Sequence, residues 1–151
     1  MERDLLIYAY EKELDILRDM SAGVGAYTEE EFFRVIKNTV HSLLDCVERI
    51  QLSITSQDKE MLKAYKFVNN CLKHDNGFNS LLYQAEGGTW PAKADGTARF
   101  YHYNWANAKE IGQKCHHKDQ MDAYVKYLQD EPIIYKFEEV DKLFHNYIKL
   151  N

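Results

Sequence analysis

Asn69, Asn70 and His74 are the residues whose types and spacing best suit chemistry, and they lie in the run KFVNNCLKHD at 66–75. This run falls near the end of a predicted helix whose apolar side chains share one face: Met61, Tyr65, Val68 and Leu72. Nearly opposite that face lie the polar side chains Lys66, Asn70, Lys73 and His74. Asn70 and His74 are separated by one helical turn, so their side chains can converge on a single proton or phosphate. We therefore predict a small polar site on this face.

The run resembles the signature of the HEPN superfamily of helical bundles. That signature has an arginine, a polar residue that is often asparagine, at least three intervening residues and a histidine, commonly followed by an acidic residue. Asn70, His74 and Asp75 match the polar residue, the histidine and the acid. Asn69 stands where the family has its arginine.

In catalytic members, the resemblance implies metal-independent RNA cleavage by a symmetric homodimer that joins two motifs over the scissile phosphate. His74 would be the general acid or base, a role that suits an imidazole. Asn70 would orient the substrate, and Asn69 would occupy the phosphate position. Asparagine lacks the charged fork of arginine, and Lys66 and Lys73 would supply positive charge only as point charges.

The resemblance therefore implies an RNA-associated or partner-binding protein of a bacterial or phage defence or toxin–antitoxin system, with an altered ribonuclease site whose missing arginine favours an inactive form. If the site is active, it implies a metal-independent endoribonuclease. The competing interpretation is an ordinary helix end, because lysine and histidine favour the negative end of the helix dipole. His41, on the preceding predicted helix, is interpreted as a partly buried polar residue and not as a catalytic partner.

A second candidate surface lies in the segment ARFYHYNWA at 98–106, where polar and aromatic residues alternate as in a strand. One side of that strand carries Arg99, Tyr101, Tyr103 and Trp105. Such side chains can stack on the bases of RNA, or they can pack against helices or another protein. The alternative function is thus a non-enzymatic protein–protein interaction module, such as an immunity or adaptor protein, that uses the aromatic β-hairpin to which this strand belongs.

Composition indicates one domain over residues 1–151, with 45% hydrophobic and 28% charged residues and only two prolines. The net charge is −5, yet residues 61–118 hold eight Lys/Arg against four Asp/Glu and carry +4. This basic segment contains the polar motif and favours contact with phosphates. No apolar run could cross a membrane, and the three cysteines fit a reducing compartment, so we expect a cytoplasmic protein. The spacing of Cys115, His116 and His117 does not support zinc, and we expect no cofactor.

The predicted fold is mainly α, an antiparallel bundle of four to five helices with a small inserted β-hairpin at 78–106. A first amphipathic helix covers residues 2–20, and Thr28 with Glu31 forms a capping box that opens a second helix. The third helix begins at Ser56 or Asp58 and is antiparallel to the second, because the connection between them is short. Two further helices begin near Lys118 and after Pro132.

Overall fold

The computed structural model describes residues 2–25, 27–74, 81–84, 103–111 and 117–150. Over these ranges the chain is mainly helical with a small two-stranded antiparallel sheet, which confirms the predicted fold class. The helices are α1 (Glu2–Ser21), α2 (Glu29–Ile50), α3 (Ser56–His74), α4 (Ala108–Ile111), α5 (Lys118–Tyr127) and α6 (Ile133–Leu150), and the strands are β1 (Leu82–Gln84) and β2 (Tyr103–Trp105). Among the described helices, none is both long and apolar enough to span a bilayer.

Both ends of α2 follow from local chemistry. Thr28 is its N-cap, with Oγ1 accepting a hydrogen bond from the backbone N–H of Glu31 at 3.1 Å. The Thr28 hydroxyl also donates to the Glu31 carboxylate at 3.2 Å, so the N-cap half of the predicted capping box is present. At the other end, Gln51 takes a left-handed conformation with φ of 57°, which turns the chain out of the helix.

The hydrophobic core lies between the helices and is lined most densely by α3. This helix buries Leu62, Ala64, Tyr65, Phe67, Val68, Cys71 and Leu72, a wider arc than the single stripe predicted. It packs against α2 on one side and against α5 on the other, where the rings of Phe67 and Tyr124 lie 4.8 Å apart. Each fully buried large apolar side chain contributes about 1.5–3 kcal/mol to folding. An arc this wide places neighbouring helices on two sides of α3.

A polar cluster joins α1 to α6. Tyr10 is buried and donates its hydroxyl to Oδ1 of Asp141 at 2.8 Å, and Arg18 donates to Oδ2 of the same carboxylate at 3.0 Å. Arg18 also donates two hydrogen bonds to the carboxylate of Glu138, and Nε2 of His145 lies 3.3 Å from Asp141. Burial and the charge of Asp141 raise the pKa of Tyr10 well above its usual range. Asp141 is thus buried with its oxygens satisfied, as a buried carboxylate requires.

The strand pair is antiparallel, with Leu82 opposite Trp105 and Gln84 opposite Tyr103. Trp105 is fully buried, its ring centroid lies 6.0 Å from that of Phe137, and its backbone N–H donates to the Glu131 carbonyl at 3.0 Å. The assignment of Trp105 to an RNA or partner surface is therefore wrong. Its side of the strand faces α6, and burying an aromatic side chain this large stabilises the fold.

Tyr103 lies on the same side of β2 and is half-buried. Its hydroxyl donates to Glu29 at 2.6 Å, and its ring packs 5.4 Å from Phe32. Burial and the neighbouring carboxylate raise the pKa of Tyr103. The other members of the proposed strip, Arg99 and Tyr101, lie outside the described residues. The described part of the strip therefore packs against helices, one of the two possibilities open at the level of sequence.

We expect Trp105→Ala to lower the free energy of unfolding by about 3–5 kcal/mol, because it leaves a large cavity against Phe137. Tyr135→Ala is the matched control, since Tyr135 is 70% exposed and its loss should change stability by about 0.5 kcal/mol or less. Urea unfolding followed by circular dichroism measures both. A loss below about 1 kcal/mol for Trp105→Ala would contradict a core position for this indole.

Candidate functional site

The candidate site lies along the antiparallel contact between α2 and α3, where a histidine of one helix meets an asparagine of the other. Nδ1 of His41 and Oδ1 of Asn69 are 3.2 Å apart. An amide oxygen only accepts hydrogen bonds, so this contact requires the proton of the imidazole to be on Nδ1. His41 is exposed and not partly buried as predicted. Its second nitrogen, Nε2, has no partner among the described residues.

Positively charged side chains extend from this contact along both helices. On α2, Arg34 and Lys37 precede His41 at the spacing that places all three within about 60° on one face. On α3, Lys66 and Lys73 lie about one turn to either side of Asn69, on its face. We call these six residues the basic seam: Arg34, Lys37, His41, Lys66, Asn69 and Lys73.

The cationic side chains of the basic seam are largely in contact with solvent. Arg34, Lys37 and Lys73 are exposed and Lys66 is half-buried. Across the described ranges, none of these four side chains forms an ion pair. The same stripe of α2 also carries three carboxylates, those of Glu30, Asp45 and Glu48. With four cations against these three carboxylates, the seam has a small excess of positive charge on a protein whose net charge is −5.

Asn70 does not belong to this seam. Its Nδ2 donates to Oε1 of Gln120 on α5 at 2.8 Å, in a partly buried position. The prediction that the Asn70 side chain lies on a solvated face is therefore wrong. The cause is α5, which covers the side of α3 that helix periodicity left as solvent. The convergence of Asn70 with His74 stays a prediction. The two neighbouring amides of the motif thus point to different helices.

His74 is the last residue of α3, and its side chain lies outside what the structure describes. Along the helix axis it is about 7.5 Å from Asn69, given a rise of 1.5 Å per residue. The structure thus brings Asn69 together with His41, whereas Asn70 contacts Gln120. By helix geometry, Lys66 and Lys73 lie on the face between the two asparagines.

The described ranges offer neither a reactive cysteine at Cys46 nor a cluster of metal ligands. Cys46 is buried, its thiol donates to the Leu6 carbonyl at 3.1 Å, and burial raises its pKa to about 12. A thiol with this pKa stays protonated at neutral pH and does not act as a nucleophile. The described ranges contain no group of three or more His, Cys, Asp or Glu side chains that could hold a metal ion. The functional interest therefore rests on the basic seam.

Arg34, Lys37 and His41 were missed as site residues in reading the sequence. They lie in the acidic first part of the chain, so a count of charge by segment hides them. The signal that could have found them is their spacing of three and four residues on the face of α2 that carries no core side chains.

We expect the Asn70–Gln120 contact to contribute to stability and not to ligand binding. In a double-mutant cycle of Asn70→Ala and Gln120→Ala, the coupling energy should be about 0.5–1.5 kcal/mol by urea unfolding. The pair Asn38→Ala and Gln120→Ala, on different helices, is the reference, and it should be additive. A coupling energy near zero for Asn70 and Gln120 would mean that the Asn70 side chain is available to bind a ligand.

Comparison with known proteins adds no further identification. The chain matches no protein-family model, and no match was found among curated proteins or among solved structures. The chemistry assigned to the basic seam therefore stands on the residues and contacts of this chain.

Proposed function

We propose that this protein binds single-stranded RNA through the basic seam, as a HEPN-like, RNA-associated protein that does not cleave its ligand. The observation that carries the proposal is the contact between His41 and Asn69, flanked by four cationic side chains without ion-pair partners in the described ranges. The setting in a bacterial or phage defence or toxin–antitoxin system, and the homodimer, follow from the resemblance of the motif alone.

Phosphate is the ligand chemistry that this surface favours. Unpaired lysine and arginine side chains attract phosphates and release counterions when they bind them. The seam runs along two antiparallel helices, so its charges form a strip and not a point. A strip of this kind matches a polyanion better than it matches a single small anion.

Asn69 is the reason to expect that the protein does not cleave RNA. A phosphate at the transition state gains most from a bidentate, permanently charged fork, which arginine has and asparagine lacks. In this chain the Asn69 amide oxygen is already engaged by His41. Its role in the proposal is to position that histidine, and the lysines nearby attract RNA without the geometry of a fork.

The alternative function, a protein–protein module that uses the hairpin, has lost part of its basis. Trp105 is in the core and Tyr103 is bound to Glu29 and packed on Phe32. These two side chains are therefore not available to anchor a partner. RNA association is the function that the described residues support better.

We expect the charge reversals Lys37→Glu and Lys73→Glu, made together, to weaken binding of a fluorescent oligouridine by about tenfold or more and to flatten its salt dependence. The control is the pair Lys142→Glu and Lys149→Glu, exposed on α6, which makes the same change in net charge elsewhere. Fluorescence anisotropy over a range of salt concentrations measures both. Equal weakening in the two variants would mean that binding depends on total charge and not on the seam.

We expect the wild-type protein to leave a mixed RNA pool intact in the presence of EDTA, because Asn69 cannot replace an arginine at the phosphate. His74→Ala is run beside it at matched folding. Cleavage by the wild type that is absent in His74→Ala would show that the histidine is catalytic and that the proposal of a non-cleaving protein is wrong.

A further inference from the structure

We infer that His41 is a phosphate-binding residue of the basic seam, held by Asn69 so that Nε2 is presented to a phosphodiester of single-stranded RNA. The inference rests on the proposed function and assigns a role to a residue that the motif does not include. It also assigns the amide at the position of the family arginine to orienting a histidine on the neighbouring helix.

The hydrogen bond decides which nitrogen is available. Oδ1 of Asn69 accepts from Nδ1 of His41, so Nδ1 keeps its proton in both the neutral and the charged imidazole. Proton uptake therefore takes place at Nε2, the nitrogen without a described partner. The neutral ring presents a lone pair there, and the charged ring presents an N–H donor.

A phosphate oxygen only accepts hydrogen bonds, so it distinguishes these two forms. It repels the lone pair of the neutral ring and accepts from the N–H of the charged ring in a charge-assisted hydrogen bond. RNA thus binds the protonated form more tightly, so RNA binding and proton uptake at Nε2 favour each other. Affinity is then expected to rise as the pH falls.

The charged groups around His41 in the described ranges come from both helices of the seam. On α2 its stripe carries Arg34 and Lys37 before it and Asp45 and Glu48 after it, and on α3 Lys66 and Lys73 lie about one turn from Asn69. A bound phosphate neutralises the nearby cations, so the proton and the RNA assist each other.

The first test is the affinity for a fluorescent oligouridine between about pH 8 and about pH 5.5 at constant ionic strength. Wild type should gain about tenfold in affinity over this range, the effect of about 1.4 kcal/mol from one charge-assisted hydrogen bond. His41→Gln should bind with little dependence on pH. His145→Gln is the matched control, because that histidine lies at α6 beside Asp141, and it should behave as wild type.

The second test reads the ring directly. Long-range ¹H–¹⁵N correlation of the imidazoles near pH 8 should show His41 with its proton on Nδ1 in the wild type, and Asn69→Ala should lose that preference. Wild-type protein with the proton on Nε2 would overturn the inference.

The outcomes separate the inference from the function on which it rests. If RNA binds and Lys37→Glu with Lys73→Glu abolishes binding, while His41→Gln keeps the full dependence on pH, the role of His41 is wrong and the seam stands. If RNA does not bind at any pH, both the seam and the role of His41 are wrong.

Discussion

The packing of α3 between α2 and α5 is the constraint on which the other features of this structure depend. A helix with neighbours on two sides must bury a wide arc, and α3 does so with Leu62, Phe67 and Val68 among others. Polar residues at the borders of that arc must find partners, because an unpaired polar group costs about 1–3 kcal/mol when it leaves water. Asn69 finds His41 on α2, and Asn70 finds Gln120 on α5. The position of α3 in the bundle therefore decides what each of the two motif amides does.

Local signals in the sequence predicted most of the fold. The N-cap at Thr28, the long apolar stripe of α2 and the short connection to α3 each act through residues close in the chain, and the structure has all three. The strand pair was predicted from alternation, but the sequence left open whether its aromatic side packs against helices or faces a partner. Trp105 lies against Phe137, a residue far along the chain, and no local pattern shows which side of a short strand will meet a helix.

The candidate site was predictable only in part, for the same reason. Helix periodicity identifies the face of α3 opposite its main stripe, and Asn69, Lys66 and Lys73 do lie on the seam. It does not identify the neighbour that covers the next face, so Asn70 was placed in solvent although α5 lies over it. Nor does the order of charges along the chain show that Arg34 and Lys37, from an acidic segment, lie on the same side as lysines of a basic one. Such a surface is formed by two helices and becomes visible only when both are in place.

The cluster of Tyr10, Arg18 and Asp141 has a consequence for the order in which the chain acquires its structure. Its hydrogen bonds join residues separated by 131 positions in one case and 123 in another. During synthesis α1 and α2 have all their mutual contacts long before Asp141 leaves the ribosome, so they would form a hairpin whose Tyr10 and Arg18 still face water. Docking of α6 then closes the core, buries Tyr10 and pairs Arg18 with Glu138 and Asp141, although the Arg18 side chain stays 36% exposed. The helix pair made first is thus completed by the helix made last, and cooperative stability arrives only with α6.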